Sequence, residues 1–168
     1  DSSVKEIKMV PTKVVIADDH TLFREGIKRM LSLEKDILVV GEVSKGDEVT
    51  KLVERTKPDI LLLDLKMPKG DVVQTLLEVK DINPATKVLV LTAFSEDENI
   101  LNAAKGGAVA MFLKALTSLH CCEPLRRFIA AAYGSTRSCL RPTRSKRLLK
   151  INLLISATLE RITRPSRF

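Results

Sequence analysis

Five short apolar runs recur between residues 13 and 113: Lys13–Ala17, Ile37–Val40, Ile60–Leu63, Lys87–Leu91 and Ala108–Leu113. Each is rich in Val, Ile or Leu and too short for a stable helix, a pattern that predicts strands buried on both faces. The intervening stretches change to helical spacing. Leu22, Phe23, Ile27, Met30 and Leu31 form one face of the first, and Val49, Leu52 and Val53 one face of the second. Val72, Val73, Leu76 and Leu77 face inward in the third, over Asp71–Lys80, and Ile100, Leu101 and Ala104 in the fourth. Punctuation agrees with this division. Gly41 ends the second strand, and Ser44 with Asp47, like Ser95 with Glu98, has the spacing of a capping box. Gly106-Gly107 stops the fourth helix.

Strands that alternate with helices in this way predict an α/β fold: a doubly wound, flavodoxin-like parallel sheet of five strands. Right-handed crossovers and strand number favour the order 2-1-3-4-5. Strands 1 and 3 are then neighbours at the switch point, where ligands bind outside the carboxyl ends of the strands. The residues at those ends are polar: Asp18 and Asp19, Asp64, Thr92, and Lys114. Carboxylates crowded together either raise a pKa or take up a cation. Hard oxygen donors with room for water favour Mg2+. One carboxylate with Mg2+, a hydroxyl and a lysine suits phosphoryl transfer, in which the carboxylate attacks phosphorus and the cations offset charge on the oxygens. Each residue also has a plainer reading. Asp18-Asp19 can cap the next helix, Thr92 can be a local cap, and Asp64 and Lys114 can be solvated loop charges.

Charge divides the chain. From Ala115 onward eleven Lys and Arg stand against two acids, a net +9, while the first 114 residues carry 17 basic and 19 acidic groups, a net −2. A basic tail admits a nucleic-acid role as well as a merely solvated one. Pro124 to about Tyr133 reads as a helix ended by Gly134. A Ser/Arg-rich linker follows, and Lys146 to Ile162 has helical spacing. The organisation expected is a lead-in over 1–12, a folded domain over 13–134, and a basic linker with one candidate helix over 135–168. One such helix does not make a helix-turn-helix output domain. His120-Cys121-Cys122 matches no zinc spacing. Three cysteines, no apolar run of membrane-spanning length and no secretory pattern at Asp1–Glu6 point to the cytoplasm, with no membrane partner.

Four of these segments together resemble the receiver domain of bacterial two-component response regulators: Ile16-Ala17-Asp18-Asp19-His20, Leu63-Asp64-Leu65-Lys66-Met67-Pro68, Thr92-Ala93 and Lys114. Ala17 to Gly26 is most similar to the subfamily with a C-terminal helix-turn-helix output. The resemblance covers 13 to about 114. It implies that Asp64 accepts a phosphoryl group from the phosphohistidine of a sensor histidine kinase. It implies that Asp19, Asp64 and the backbone carbonyl of Lys66 bind Mg2+ with Asp18 nearby, that Thr92 holds phosphoryl oxygens, and that Lys114 pairs with them. The same site would slowly hydrolyse its own acyl phosphate. This describes a phosphoacceptor signalling protein that controls transcription, rather than a turnover enzyme. The family's usual partner surface, the face of helix 4, strand 5 and helix 5, is the candidate homodimer surface. The family pairs Thr92 with an aromatic switch residue where Met111 stands here, beside Phe112. Two alternatives remain open. A haloacid-dehalogenase-like phosphatase also uses Asp, Thr and Lys, although it needs a second carboxylate where His20 stands. The basic tail could instead make the chain a nucleic-acid binder.

Overall fold

The computed structural model describes residues 10–93, 103, 106–108 and 110–114. Strand β1 is Thr12–Ala17, followed by helix α1 at Thr21–Leu31 and strand β2 at Ile37–Val43. A short 3-10 turn over Gly46–Glu48 leads into helix α2, Val49–Thr56. Strand β3 is Ile60–Asp64, helix α3 is Val72–Ile82, strand β4 is Lys87–Thr92 and strand β5 is Ala110–Leu113. All pairings are parallel and the order is β2-β1-β3-β4-β5, as the alternation predicts. The expected fourth-helix residues Ser95, Glu98, Ile100, Leu101 and Ala104, the 124–133 helix and the basic tail lie outside the described residues.

The period of two in each strand divides the core between the two faces of the sheet. Val15, Ala17, Leu61, Leu63, Val88 and Val90 pack with Val49, Leu52 and Val53 of α2 and Leu76 and Val79 of α3. Val14, Ile16, Ile60, Leu62, Leu89 and Leu91 pack with Ile27 and Leu31 of α1. Every residue of β3 is buried, which explains its unbroken apolar run. Removing a buried leucine such as Leu62 leaves a cavity as well as losing transfer energy.

Several local expectations are corrected. Gly41 does not end β2. The strand runs on to Val43, and its register with β1 slips between Val14 and Val15. A Cβ on Gly41 would meet Leu52 Cδ1 at 2.9 Å, so this glycine serves a close approach at a bulge rather than a stop. The Ser44 cap is not made. Lys45 and Glu48 precede the 3-10 turn and α2, without a side-chain cap bond. The turn is held instead by the Gly46 N–H, which donates to Pro68 O at 2.9 Å. Leu22 is 89% exposed, because it precedes Phe23 by one position and is rotated off the Phe23–Ile27–Leu31 stripe. Leu77 is 48% exposed, and Thr75 lies buried beside Leu76 in its place. Strand β5 begins at Ala110, after a turn at Gly106-Gly107 in which Gly107 has φ 95° and Ala108 N–H reaches Ala103 O.

Candidate functional site

Strand register assembles the site. Ala17 is level with Leu63, so Asp18 and Asp64 leave the sheet side by side. Asp64 is level with Leu91 of β4, which is level with Phe112 of β5. Thr92 and Lys114 therefore follow at the same edge. Asp18, Asp64 and Thr92 are all buried, an uncommon fate for aspartate unless it is paired.

The pairing comes from Lys114. Its Nζ donates to Asp64 Oδ2 at 2.8 Å and lies 2.6 Å from Asp18 Oδ2. The second contact is ionic rather than an aligned hydrogen bond. One ammonium thus bridges two carboxylates whose side chains are 4% exposed at Asp64 and 0% at Asp18. The Lys66 N–H also donates to Asp64 Oδ1, at a long 3.3 Å. Burial pushes the Asp64 carboxyl above its ordinary value. The hydrogen bond and charge of Lys114 pull it back, the Asp18 charge pushes upward again, and the Lys66 N–H lowers it slightly. Loss of solvent therefore outweighs the lysine.

Sequence reasoning singled out Asp18, Asp19, Asp64, Lys66, Thr92 and Lys114, and all lie at the carboxyl edge of the sheet. The structure brings Asp18, Asp64 and Lys114 into direct contact. Asp19 stands outside them, partly exposed, with its Oδ1 2.8 Å from His20 Nδ1. Met111 and Phe112 are placed by backbone pairing alone, level with Val90 and Leu91.

Three neighbours escaped sequence reasoning. His20 Nδ1 lies 3.2 Å from Asp18 Oδ1 and 3.5 Å from Lys114 Nζ. The guanidinium of Arg24 donates to the Asp18 carbonyl at 2.6 Å, which ties α1 to the end of β1. Lys114 Nζ sits 4.9 Å from the centre of the Phe23 ring, within cation–π range. Their spacing was legible: His20, Phe23 and Arg24 all fall in the first turn after the acidic pair.

Ligand atoms of Asp18, Asp19, His20 and Asp64 lie within 4.8 Å of one another, a group that could hold a metal ion. Asp18 and Asp64 share the Lys114 ammonium and Asp19 lies beside His20, so three carboxylates gather at this edge. The oxygen donors and the solvent access at Asp19 fit a hard divalent cation that keeps waters.

A parallel sheet with two buried aspartates and a lysine at its carboxyl edge has an acidic strand-end site of a kind that suits phosphoryl transfer. Residues 14–124 match the response regulator receiver domain family, and the chain belongs to it. The chain is 41% identical over 102 residues to the uncharacterized transcriptional regulatory protein YhcZ of Bacillus subtilis, covering 61% of this chain and 48% of that protein. It is 35% identical over 104 residues to the nitrate/nitrite response regulator protein NarL of Escherichia coli, covering 62% and 48%. The signal receiver domain of the putative response regulator NarL from Mycobacterium tuberculosis superimposes with a TM-score of 0.65 at 34% identity, covering 74% of this chain and 98% of that one. The chain spans about half the length of the curated relatives it matches. Among the described residues no helix is long and apolar enough to cross a membrane.

Proposed function

We propose that this chain is the phosphoacceptor receiver of a two-component pathway, with Asp64 as the acceptor. The observation that carries the reading is the buried Asp64 carboxylate, in contact with Lys114 and beside Asp18. A sensor histidine kinase is the donor. Its phosphohistidine binds with phosphorus facing Asp64. A carboxylate oxygen of Asp64 attacks, the P–O bond forms as the P–N bond breaks, and the imidazole leaves with the electron pair of that bond. Burial keeps water from solvating the nucleophile, and the raised proton affinity of Asp64 makes its oxygen a stronger nucleophile once ionised.

Asp19, Asp64 and the Lys66 carbonyl would hold Mg2+, with Asp18 close by or joined through water. When bound, Mg2+ supplies positive charge to the phosphoryl oxygens. Lys114 supplies a cationic side chain, and its release from Asp18 accompanies its pairing with the phosphoryl group. Thr92 hydrogen-bonds a phosphoryl oxygen. Met111 and Phe112 stand where the switch partner of Thr92 is expected. The same site dephosphorylates itself slowly by admitting water to phosphorus.

The domain extends over 13–134, with 1–12 as a lead-in and 135–168 as a basic linker and helix. The output is transcriptional, which the names of the relatives support for their own chains. It acts through DNA binding by an attached domain or by the basic tail, with homodimerisation through the helix 4–strand 5–helix 5 face. The compartment is the cytoplasm, where such a kinase presents its phosphohistidine.

The test is labelling with a small phosphodonor and Mg2+. The unaltered chain gains one phosphoryl group and Asp64→Asn gains none. Equal labelling of the two proteins contradicts the assignment.

A further inference from the structure

The loop after Asp64 is held in place by a contact that leaves no room for a side chain on either partner. A Cβ built on Gly46 would lie 2.4 Å from the Cα of Gly70 and 2.9 Å from its nitrogen. A Cβ on Gly70 would lie 2.7 Å from the Cα of Gly46. Real side chains essentially never approach backbone so closely, so both positions require glycine. The φ angles of the two residues make no such demand, since neither is in the left-handed region. The requirement comes from the meeting of two backbones, one in the turn after β2 and one in the loop after β3. The Gly46 N–H fastens the same junction by donating to Pro68 O at 2.9 Å.

This junction is the middle support of the segment that runs from Asp64 to Asp71. At one end Leu65 N–H donates to Leu91 O at 3.0 Å, and Leu65 and Met67 are buried in the core. At the other end Asp71 caps α3 by accepting from Gln74 N–H at 3.0 Å. Between them Lys69 takes a left-handed backbone with φ 58°, a conformation that an L-residue adopts at a cost and keeps only where its surroundings hold it. Lys66 lies in this segment, and its N–H reaches Asp64 Oδ1.

We infer that Gly46 and Gly70 are positioning residues for the phosphoacceptor site: their backbone contact sets where the Lys66 peptide stands relative to Asp64, and hence how the site takes a divalent cation. The inference rests on the reading of Asp64 and Lys66 given above and extends it to a turn that follows a different strand. Groups that orient ligands without touching the metal commonly change affinity by about 10- to 100-fold when altered.

The experiment titrates Mg2+ into the isotope-labelled full chain and follows backbone amide resonances. In the unaltered chain the Gly46 amide shifts with the same midpoint as the Asp64 and Lys66 amides. Gly70→Ala and Gly46→Ala bind Mg2+ about tenfold or more weakly, and slow phosphodonor labelling with it. Gly26→Ala is the control, because a Cβ there meets nothing within 4 Å. Thermal melts identify the variants that are folded at the titration temperature. A folded Gly70→Ala or Gly46→Ala with unchanged Mg2+ affinity overturns the inference and leaves the Asp64 reading intact. A Gly46 amide that ignores Mg2+ in the unaltered chain overturns it without recourse to any variant. Absence of Mg2+ binding by the unaltered chain removes the metal reading itself, and this inference with it.

Discussion

Two aspartates stand at the two ends of strand β3, in different surroundings. Asp59, at its entry, is a clamp. Its Oδ2 accepts from Lys13 N–H at 2.8 Å, while its own N–H donates to Lys13 O and its carbonyl accepts from Lys87 N–H, both at 2.9 Å. One residue thereby joins β1, β3 and β4 by main-chain bonds. Asp64, at the exit, is buried against another carboxylate and a single lysine, with one long main-chain bond. Its carboxyl is pushed above the ordinary range. The same side chain five residues apart accepts from the main chain at one edge of the sheet and meets charged side chains at the other. The Asp59 carboxylate takes a main-chain N–H from β1, whereas the Asp64 carboxylate takes the Lys114 ammonium beside a second carboxylate.

Removing each carboxylate's charge in turn separates the two residues most strongly. Asp64→Asn abolishes phosphodonor labelling, and Asp59→Asn leaves its rate near that of the unaltered chain. Lys114→Ala comes next. Without the ammonium, charge on the phosphoryl oxygens is less well offset, and labelling slows by about tenfold or more.

Stability effects follow. Leu62→Ala, in the centre of β3 between the two acids, costs about 2–5 kcal/mol in urea unfolding. Exposed Leu22→Ala stays within about 0.5 kcal/mol. Asp59→Ala strands the Lys13 N–H and costs about 1–3 kcal/mol.

The smallest effect has the opposite sign. Because the folded pKa of Asp64 is raised, the folded chain holds its proton to higher pH than the unfolded chain does. Its contribution is therefore most favourable below the ordinary carboxylate value and is lost as pH rises through the folded value. Asp64→Asn melts higher than the unaltered chain at neutral pH, and the gap closes as the buffer is taken below the ordinary carboxylate range. An Asp64→Asn variant that melts lower at neutral pH contradicts the dominance of burial over Lys114.

The strands, their order and the edge that carries Asp18, Asp64, Thr92 and Lys114 were legible because each is written locally, in an apolar run and the residue that ends it. The partners that depend on distant chain were not. Gly41 looks like a stop in sequence and is a close approach to Leu52 in space. Gly46 and Gly70 give no local sign that their backbones meet, since 23 residues, with helix α2 and strand β3, separate them. Ser44 has the spacing of a cap, yet the loop after Asp64 holds that turn through Pro68 O. Leu22 shows the limit of a stripe read without angle: one position along a helix turns a core residue into an exposed one.

Mapping the label decides whether one phosphoryl group goes to Asp64. The full chain is treated with a small phosphodonor and Mg2+, and the modified peptide is located by mass. The expected product is a single acyl phosphate, labile in alkali, on the peptide carrying Asp64. A stable phosphate ester, or a label on a peptide without Asp64, contradicts it.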